Sequence, residues 1–426
     1  MNLGSPTKNN QRSWIIFWIP VLLGLPALLI SWSVVFTGGP HLTPLYSTVI
    51  FGLGIVGAAA LLAWASEVIE LDIGQGMALA LVALVAVLPE YAVDIFLAYQ
   101  AGSDPSSLYS AYATANMTGG NRLIVGLGWP LVVLIYWLSR KKRVDLSQTI
   151  SLELSFLVLA VIYAGVIIIK GNITVFDSVI LFTLFGAYVW LSGKNQHKST
   201  DLVGPAKSIA SLGVTGRRVV VASVFTYSIL LILFSTELFA EGLIETGSHF
   251  GINEFILIQW LAPLASESPE MLIAGYFALK GSPRAALTML ISATVNQWTL
   301  LVGSLPIAYS FGFGSVAGLP LTTGDTVSLV GNSLHRQQVE LFLTIAQTIL
   351  AISLVLRLYA SWQGMGLLLV FFAFQLVFSG TDQRLALSFV AFLIAATVII
   401  ADRQRRDQIG VTSKYLLNML GLRSSL

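Results

Sequence analysis

Long apolar stretches recur along the whole chain, each closed by a short polar or Gly/Pro-rich connection. A helix needs about 20 residues to cross the hydrocarbon core of a bilayer. Twelve spans are expected, near 14–36, 45–69, 76–100, 107–138, 150–169, 174–193, 218–246, 252–280, 284–310, 338–357, 364–380 and 385–401. The third, fourth and eighth carry Pro or Gly interruptions, and the last two are short enough to form a re-entrant pair instead. Many spans are apolar on all sides, so periodicity does not say which face meets lipid. The first run, Trp14 to Phe36, is too long for a signal-peptide core and lacks a small-residue cleavage site, so it is expected to be retained.

Composition gives the same class. The chain is 56% hydrophobic and 10% charged, with a mean hydropathy of +0.82. That fits an all-α polytopic membrane protein and no soluble domain. With no cysteine, disulfides, thiolate metal sites and cysteine redox chemistry are excluded. The histidines His41, His197, His249 and His335 fall in the expected connections, so a histidine-based metal site or proton relay is not expected. A zinc-type His-Glu-x-x-His helix, a Ser-His pair and paired catalytic aspartates at helix depth are all missing. The chain is therefore not read as an enzyme, and neither a cofactor nor a nucleic-acid partner is expected. Inorganic cations and the lipid bilayer are the partners implied; nothing fixes the oligomeric state.

The distribution of charge says more than the net value of +2. With the N-terminus placed in the cytoplasm and the spans alternating, 19 of the 23 Lys and Arg residues fall on the inner side. They include Lys8, Arg12, the run Arg140-Lys141-Lys142-Arg143, Lys280, Arg284, Arg357 and Arg403. The outer side keeps Lys170, Arg336 and Arg384, and Arg122 alone is left inside a span. Both termini are thus expected in the cytoplasm, in what is best read as a prokaryotic plasma membrane. The longest hydrophilic connection separates two halves. Residues 1–44 hold the N-terminus and an extra span, 45–193 the first half, and 194–217 a cytoplasmic linker. Residues 218–380 form the second half, and 381–426 another extra span and a tail. The connection from Gly312 to Gln338 is expected to be a partly ordered external loop.

Two runs, Leu88-Pro89-Glu90 and Ser268-Pro269-Glu270, set a Pro-Glu step inside a span, 180 positions apart. They occupy the third and eighth spans. An odd offset makes the two helices cross in opposite directions, as in an inverted-topology repeat that builds a transport site near the midplane. The expected architecture is ten helices in two inverted five-helix repeats, with one extra span at each end. Each half has an acid-bearing helix end, a Pro-Glu helix and an amide-rich helix. In the first these are Glu67 and Glu70, then Glu90 with Asp94, then Asn116, Gly119, Gly120, Asn121 and Arg122. In the second they are Glu237 and Glu241, then Ser266, Glu267 and Glu270, then Ser292, Thr294, Asn296 and Gln297.

This pattern resembles the calcium/cation antiporter superfamily, the sodium/calcium and calcium/proton exchangers. Their two α-repeats carry Gly-Thr-Ser-Leu-Pro-Glu or Gly-Asn-Ala-x-Glu motifs followed by an amide-rich helix. The second repeat matches from Glu237 through Glu270, and Ala115-Asn116-Met117-Thr118-Gly119-Gly120-Asn121 stands close to the second motif. The resemblance implies alternating-access antiport of cations. It also has departures: Ala86-Val87 replace the hydroxyl residues before Glu90, Glu267 replaces a small hydroxyl residue, and Asp94 and Arg122 are added. These imply a remodelled site.

The residues themselves support oxygen ligation. Glu90 and Asp94 are four apart and Glu267 and Glu270 three apart, so each pair shares a helix face. Four carboxylates at membrane depth would cost on the order of 10–14 kcal/mol, which a metal, protons or Arg122 must offset. Calcium takes about 6–8 oxygens. Glu90, Glu270, Asn116, Asn121 and Asn296, with hydroxyls from Thr118, Ser266 or Ser292, offer that chemistry, and Pro89 and Pro269 release main-chain carbonyls one turn back. Crowded carboxylates titrate together, so Asp94 and Glu267 are candidate proton carriers, or else partners of Arg122. Glu67, Glu237 and Glu241 are candidate gate or relay residues, or ordinary solvated acids; Glu153 and Asp177 read as structural. The expected activity is exchange of Ca²⁺ for H⁺ or Na⁺. A monovalent Na⁺(K⁺)/H⁺ antiporter is the nearest rival and a cation channel a more distant one.

Overall fold

Lipid offers no partner to main-chain N–H and C=O groups, so an apolar chain in a bilayer satisfies them within helices. The computed structural model describes residues 8–39, 42–69, 71–72, 88–146, 150–194, 202, 204–329 and 332–410. Its helices, in chain order, are α1 Lys8–Thr37, α2 Pro44–Ile69, α3 Leu88–Ser103, α4 Tyr109–Arg140, α5 Ser151–Lys170 and α6 Val175–Lys194. There follow α7 Gly204–Ala210, α8 Val214–Phe250, α9 Glu254–Lys280, α10 Pro283–Phe313, α11 Arg336–Val355, α12 Trp362–Val377 and α13 Thr381–Ile400. The protein is an all-α polytopic membrane protein. Among the described residues nine helices are long and apolar enough to cross a membrane: α1, α2, α4, α5, α6, α8, α10, α11 and α13. Of the other expected spans, the eighth is α9, which carries Glu254, Glu267, Glu270 and Lys280, and the eleventh is α12, with 16 residues. The third is α3; its approach, with Ala86 and Val87, lies outside the described residues, as do Glu70, His41 and His197.

The chain divides into two compact units, Met1–Phe96 with Val189–Glu270 and Leu97–Tyr188 with Met271–Leu426. In the first, α2 packs along α8 and α1 lies on both. The α2–α8 approach depends on small residues. A Cβ at Gly242 would stand 3.0 Å from the Thr48 main-chain nitrogen, and one at Gly52 would stand 2.9 Å from the Phe239 ring. The expected linker is partly structured: in α7, Ala206 and Ile209 are three apart and bury against Phe17, Leu61, Val68 and Val221. Next to it Asp72 accepts from Arg217 Nε at 2.9 Å and Nη2 at 2.7 Å, and from Arg218 Nε at 3.2 Å.

In the second unit α11 is the most enclosed span, buried along nearly its whole length from Gln337 to Val355. It packs on α13, α4 and α5. Three short antiparallel pairs join connections: β1 Val144–Asp145 with β6 Tyr359–Ala360, β2 Asn172–Ile173 with β3 Leu319–Pro320, and β4 Thr326–Leu329 with β5 Asn332–His335. Strands β3, β4 and β5 order much of the loop expected at 312–338. Helices α4 and α10 each contain one five-residue π segment, Ile124–Gly128 and Gln297–Leu301. The packing is reciprocal. The first π segment lies on Pro283–Asn296 of α10, and the second on Tyr109–Leu123 of α4.

Candidate cation site

In the first unit the Pro-Glu helices bring their carboxylates inside. Glu90 is 3% exposed and Asp94 fully buried, one turn apart on α3. On α9, Ser266 and Glu267 are buried and Glu270 is half-buried. Glu90 and Glu270 lie within electrostatic range of one another, although 180 positions separate them in the chain. Like charges so placed in a poorly hydrated setting favour uptake of a cation or of protons. The Ser266 hydroxyl donates to main-chain carbonyls of its own helix, at 3.2 Å to Pro263 and 3.4 Å to Ala262. Its lone pairs remain available to accept.

In the second unit α4 buries Asn116 and Asn121, each 2% exposed, and α10 buries Asn296 at 4%. Asn121 Nδ2 donates to Met117 O at 3.0 Å. The carbonyl oxygens of Asn116 and Asn121 are buried and accept no hydrogen bond from any described residue. Buried amide oxygens without a donor are uncommon in proteins, and they are the hard neutral oxygens that cations such as calcium take. The Thr118 hydroxyl likewise donates within its helix, to Thr114 O at 2.7 Å, whereas Ser292 Oγ already accepts from the Tyr188 hydroxyl at 2.8 Å.

Arg122 is fully buried, and its Nη2 stands 2.8 Å from Glu340 Oε2. The same oxygen takes Arg384 Nη1 at 2.5 Å, with Glu340 and Arg384 also fully buried. The sequence pattern puts Arg384 in an outer connection and leaves Arg122 alone within a span; the structure corrects both points. Arg384 lies in the first turn of α13 and turns inward, because Glu340 on α11 supplies the countercharge. Glu340 had no role in the sequence pattern. Its signal was available, since it lies inside the span expected at 338–357 and buried acids need cations.

The remaining acids are less enclosed. Glu67 is half-buried near the end of α2; on α8, Glu237 is exposed and Glu241 half-buried. Glu241 and Glu245 line a cavity of about 100 Å³ with Ser47 and Phe51. Asp177, expected to be structural, accepts from Tyr163, Lys170 and Thr174. His249 falls in the last turn of α8 instead of a connection. Among the described residues no three His, Cys, Asp or Glu side chains gather closely enough to hold a metal by themselves.

The family model for the sodium/calcium exchanger protein matches residues 43–194 and 220–380. The chain belongs to the sodium/calcium exchanger family. This is a transporter family, within the calcium/cation antiporter superfamily, and not a family of enzymes. Among solved exchangers, the crystal structure of the H⁺/Ca²⁺ exchanger CAX is 37% identical, with a TM-score of 0.87 over 97% of this chain and 100% of that one. Native YfkE shares the fold at 16% identity, with a TM-score of 0.57 over 88% of this chain and 100% of that one. The sodium-calcium exchanger NCX_Mj does so at 16% identity, with a TM-score of 0.52 over 78% and 97%. No curated protein sequence matches the chain.

Proposed function

We propose that this exchanger-family protein is a secondary antiporter that carries Ca²⁺ against H⁺ by alternating access at a carboxylate site near the membrane midplane. The observation that carries the reading is its 37% identity, over 97% of its length, to a protein described as an H⁺/Ca²⁺ exchanger. The buried acids of the Pro-Glu helices support it. Glu90 and Glu270 take the cation, and Asp94 and Glu267 carry protons when it leaves. Asn116, Asn121, Asn296 and Ser266 are the proposed neutral oxygen ligands. Glu67, Glu237 and Glu241 are proposed as relay residues along the way. The architecture proposed is twelve spans, ten of them in two inverted five-helix repeats, with both termini in the cytoplasm of a prokaryotic cell. The reciprocal packing of the two π segments supports that repeat.

A monovalent Na⁺(K⁺)/H⁺ exchange at the same residues is the second reading. It is favoured by one observation, that no three acidic or histidine side chains cluster among the described residues. Uptake of radiolabelled calcium into proteoliposomes under imposed H⁺ or Na⁺ gradients separates the two. Proton-driven uptake that Glu270→Gln abolishes is the expected result. No calcium flux, together with proton release on adding Na⁺ or K⁺, would replace it with the monovalent reading.

A further inference from the structure

A π turn breaks the regular i-to-i+4 ladder, so main-chain groups at its edge need other partners. The two π segments meet that need differently. In α10 the segment Gln297–Leu301 supplies its own donor: Thr299 Oγ1 bonds Val295 O at 2.6 Å and Asn296 O at 3.4 Å. In α4 the segment reads Ile-Val-Gly-Leu-Gly and has no side-chain donor at all. The donor is imported. Gln347 Nε2, on α11, donates to Arg122 O at 2.9 Å. Gln347 Oε1 accepts from Gln375 Nε2, on α12, at 2.6 Å. Gln375 Oε1 accepts from Arg122 Nη1 at 3.3 Å. The three bonds close a ring that leaves the Arg122 guanidinium and returns to the Arg122 carbonyl.

Two features fit the ring to this place. Gly126 gives Gln347 access, since a Cβ there would stand 2.7 Å from Gln347 Nε2. Glu340, itself bonded by Arg384, takes the other end of the guanidinium, so the ring is tied through that carboxylate to α11 and α13 as well as α4. All of these side chains are buried, so water does not compete for the bonds.

We propose that Arg122, Gln347 and Gln375 are positioning residues: their ring fixes the first π segment, and with it the turns of α4 that present Asn116 and Asn121 to the transported cation. Arg122 then acts through the helix it belongs to and binds no substrate. The functional part rests on the cation reading given above; the ring's hold on α4 does not.

The test uses full-length protein with Gln347→Leu and Gln375→Leu, both of which leave the Arg122–Glu340 pair intact. Hydrogen–deuterium exchange is read over 118–128, with 150–165 as reference, and calcium uptake is read as KM against kcat. The expected result is exchange over 118–128 faster by roughly tenfold or more while the reference holds. Partners that orient ligands are worth about tenfold in metal affinity, so the KM for calcium rises by about that factor with kcat kept. Unchanged exchange over 118–128, or equal acceleration in both regions, overturns the ring. Faster local exchange with an unchanged KM overturns its positioning role. A wild type that carries no calcium defeats the transport reading, and the exchange experiment still decides the ring.

Discussion

Glu340 on α11 holds Arg122 on α4 at 2.8 Å, with both side chains fully out of solvent. Arg384 on α13 shares the same carboxylate oxygen at 2.5 Å, and Arg336 Nε stands 3.9 Å from the other. One buried acid therefore serves three helices. Removing it strands two buried guanidiniums, and breaking a buried pair in this way costs about 3–5 kcal/mol. Glu340→Ala is expected to lower the unfolding temperature in detergent severely or to prevent recovery of monodisperse protein. Arg384→Met leaves the Arg122–Glu340 pair in place and should cost less. Equal melting temperatures for Glu340→Ala and the wild type would show that the cluster is not what holds these helices.

In the second unit α3 and α10 approach through glycine on both sides. A Cβ at Gly102 would lie 2.0 Å from Tyr309 O, and one at Gly312 would lie 2.0 Å from Tyr99 O. Both obstacles are main-chain atoms, which cannot rotate away. Gly312→Ala should therefore force the helices apart, at about 1–3 kcal/mol for such overpacking. Gly165 on α5 has nothing within 4 Å of its added Cβ. Gly165→Ala should stabilise by about 0.5–1 kcal/mol through helix propensity alone. Thermal melts of the two variants, run side by side, should move in opposite directions.

The spans were legible because lipid forces every long apolar run into a helix, whatever its partners. Glu90 and Glu270 were legible for the complementary reason, since a carboxylate at that depth is costly and repetition makes chance unlikely as its source. The cluster around Glu340 was not. Arg384 sits so near a span end that charge counting assigns it to water, and helices that are apolar all round give no face by which to match it with Glu340. The π segments were also hidden: Ile-Val-Gly-Leu-Gly and Gln-Trp-Thr-Leu-Leu share no common pattern. Gln347 and Gln375 matter through main-chain geometry on α4 that no local spacing encodes.

Asp72, just after α2, is held below its usual carboxylate range by hydrogen bonds from Arg217, with Arg218 adding to them and partial burial opposing. A lowered folded value means that the unfolded chain takes up the proton first as pH falls. The contribution to stability is thus complete above the ordinary carboxylate range and is lost as pH drops through the lowered folded value. Asp72→Asn removes this dependence. The wild type should melt above the variant by a constant margin from about pH 8 to about pH 5, and the margin should close towards about pH 3. A margin that stays constant to pH 3 would mean that the Asp72 charge contributes nothing through Arg217.

The buried oxygens of Asn116 and Asn121 make an unusual prediction, because function and stability should respond in opposite ways. A buried acceptor that has a donor costs about 1–3 kcal/mol when that bond is broken, whereas one without a donor can give way to an apolar group at little cost. Asn116 Oδ1 accepts nothing from the described residues. Asn116→Leu, close in volume, should leave the unfolding temperature unchanged or raise it. If the oxygen is a cation ligand, the same variant loses one member of a shell of about 6–8 oxygens, and the KM for calcium should rise by about tenfold. Melting and uptake measured on one preparation decide between the alternatives. A stable variant with weakened uptake marks Asn116 as a ligand. A melting temperature that falls by several degrees with KM intact would mean that the amide serves the fold and that the cation is held without it.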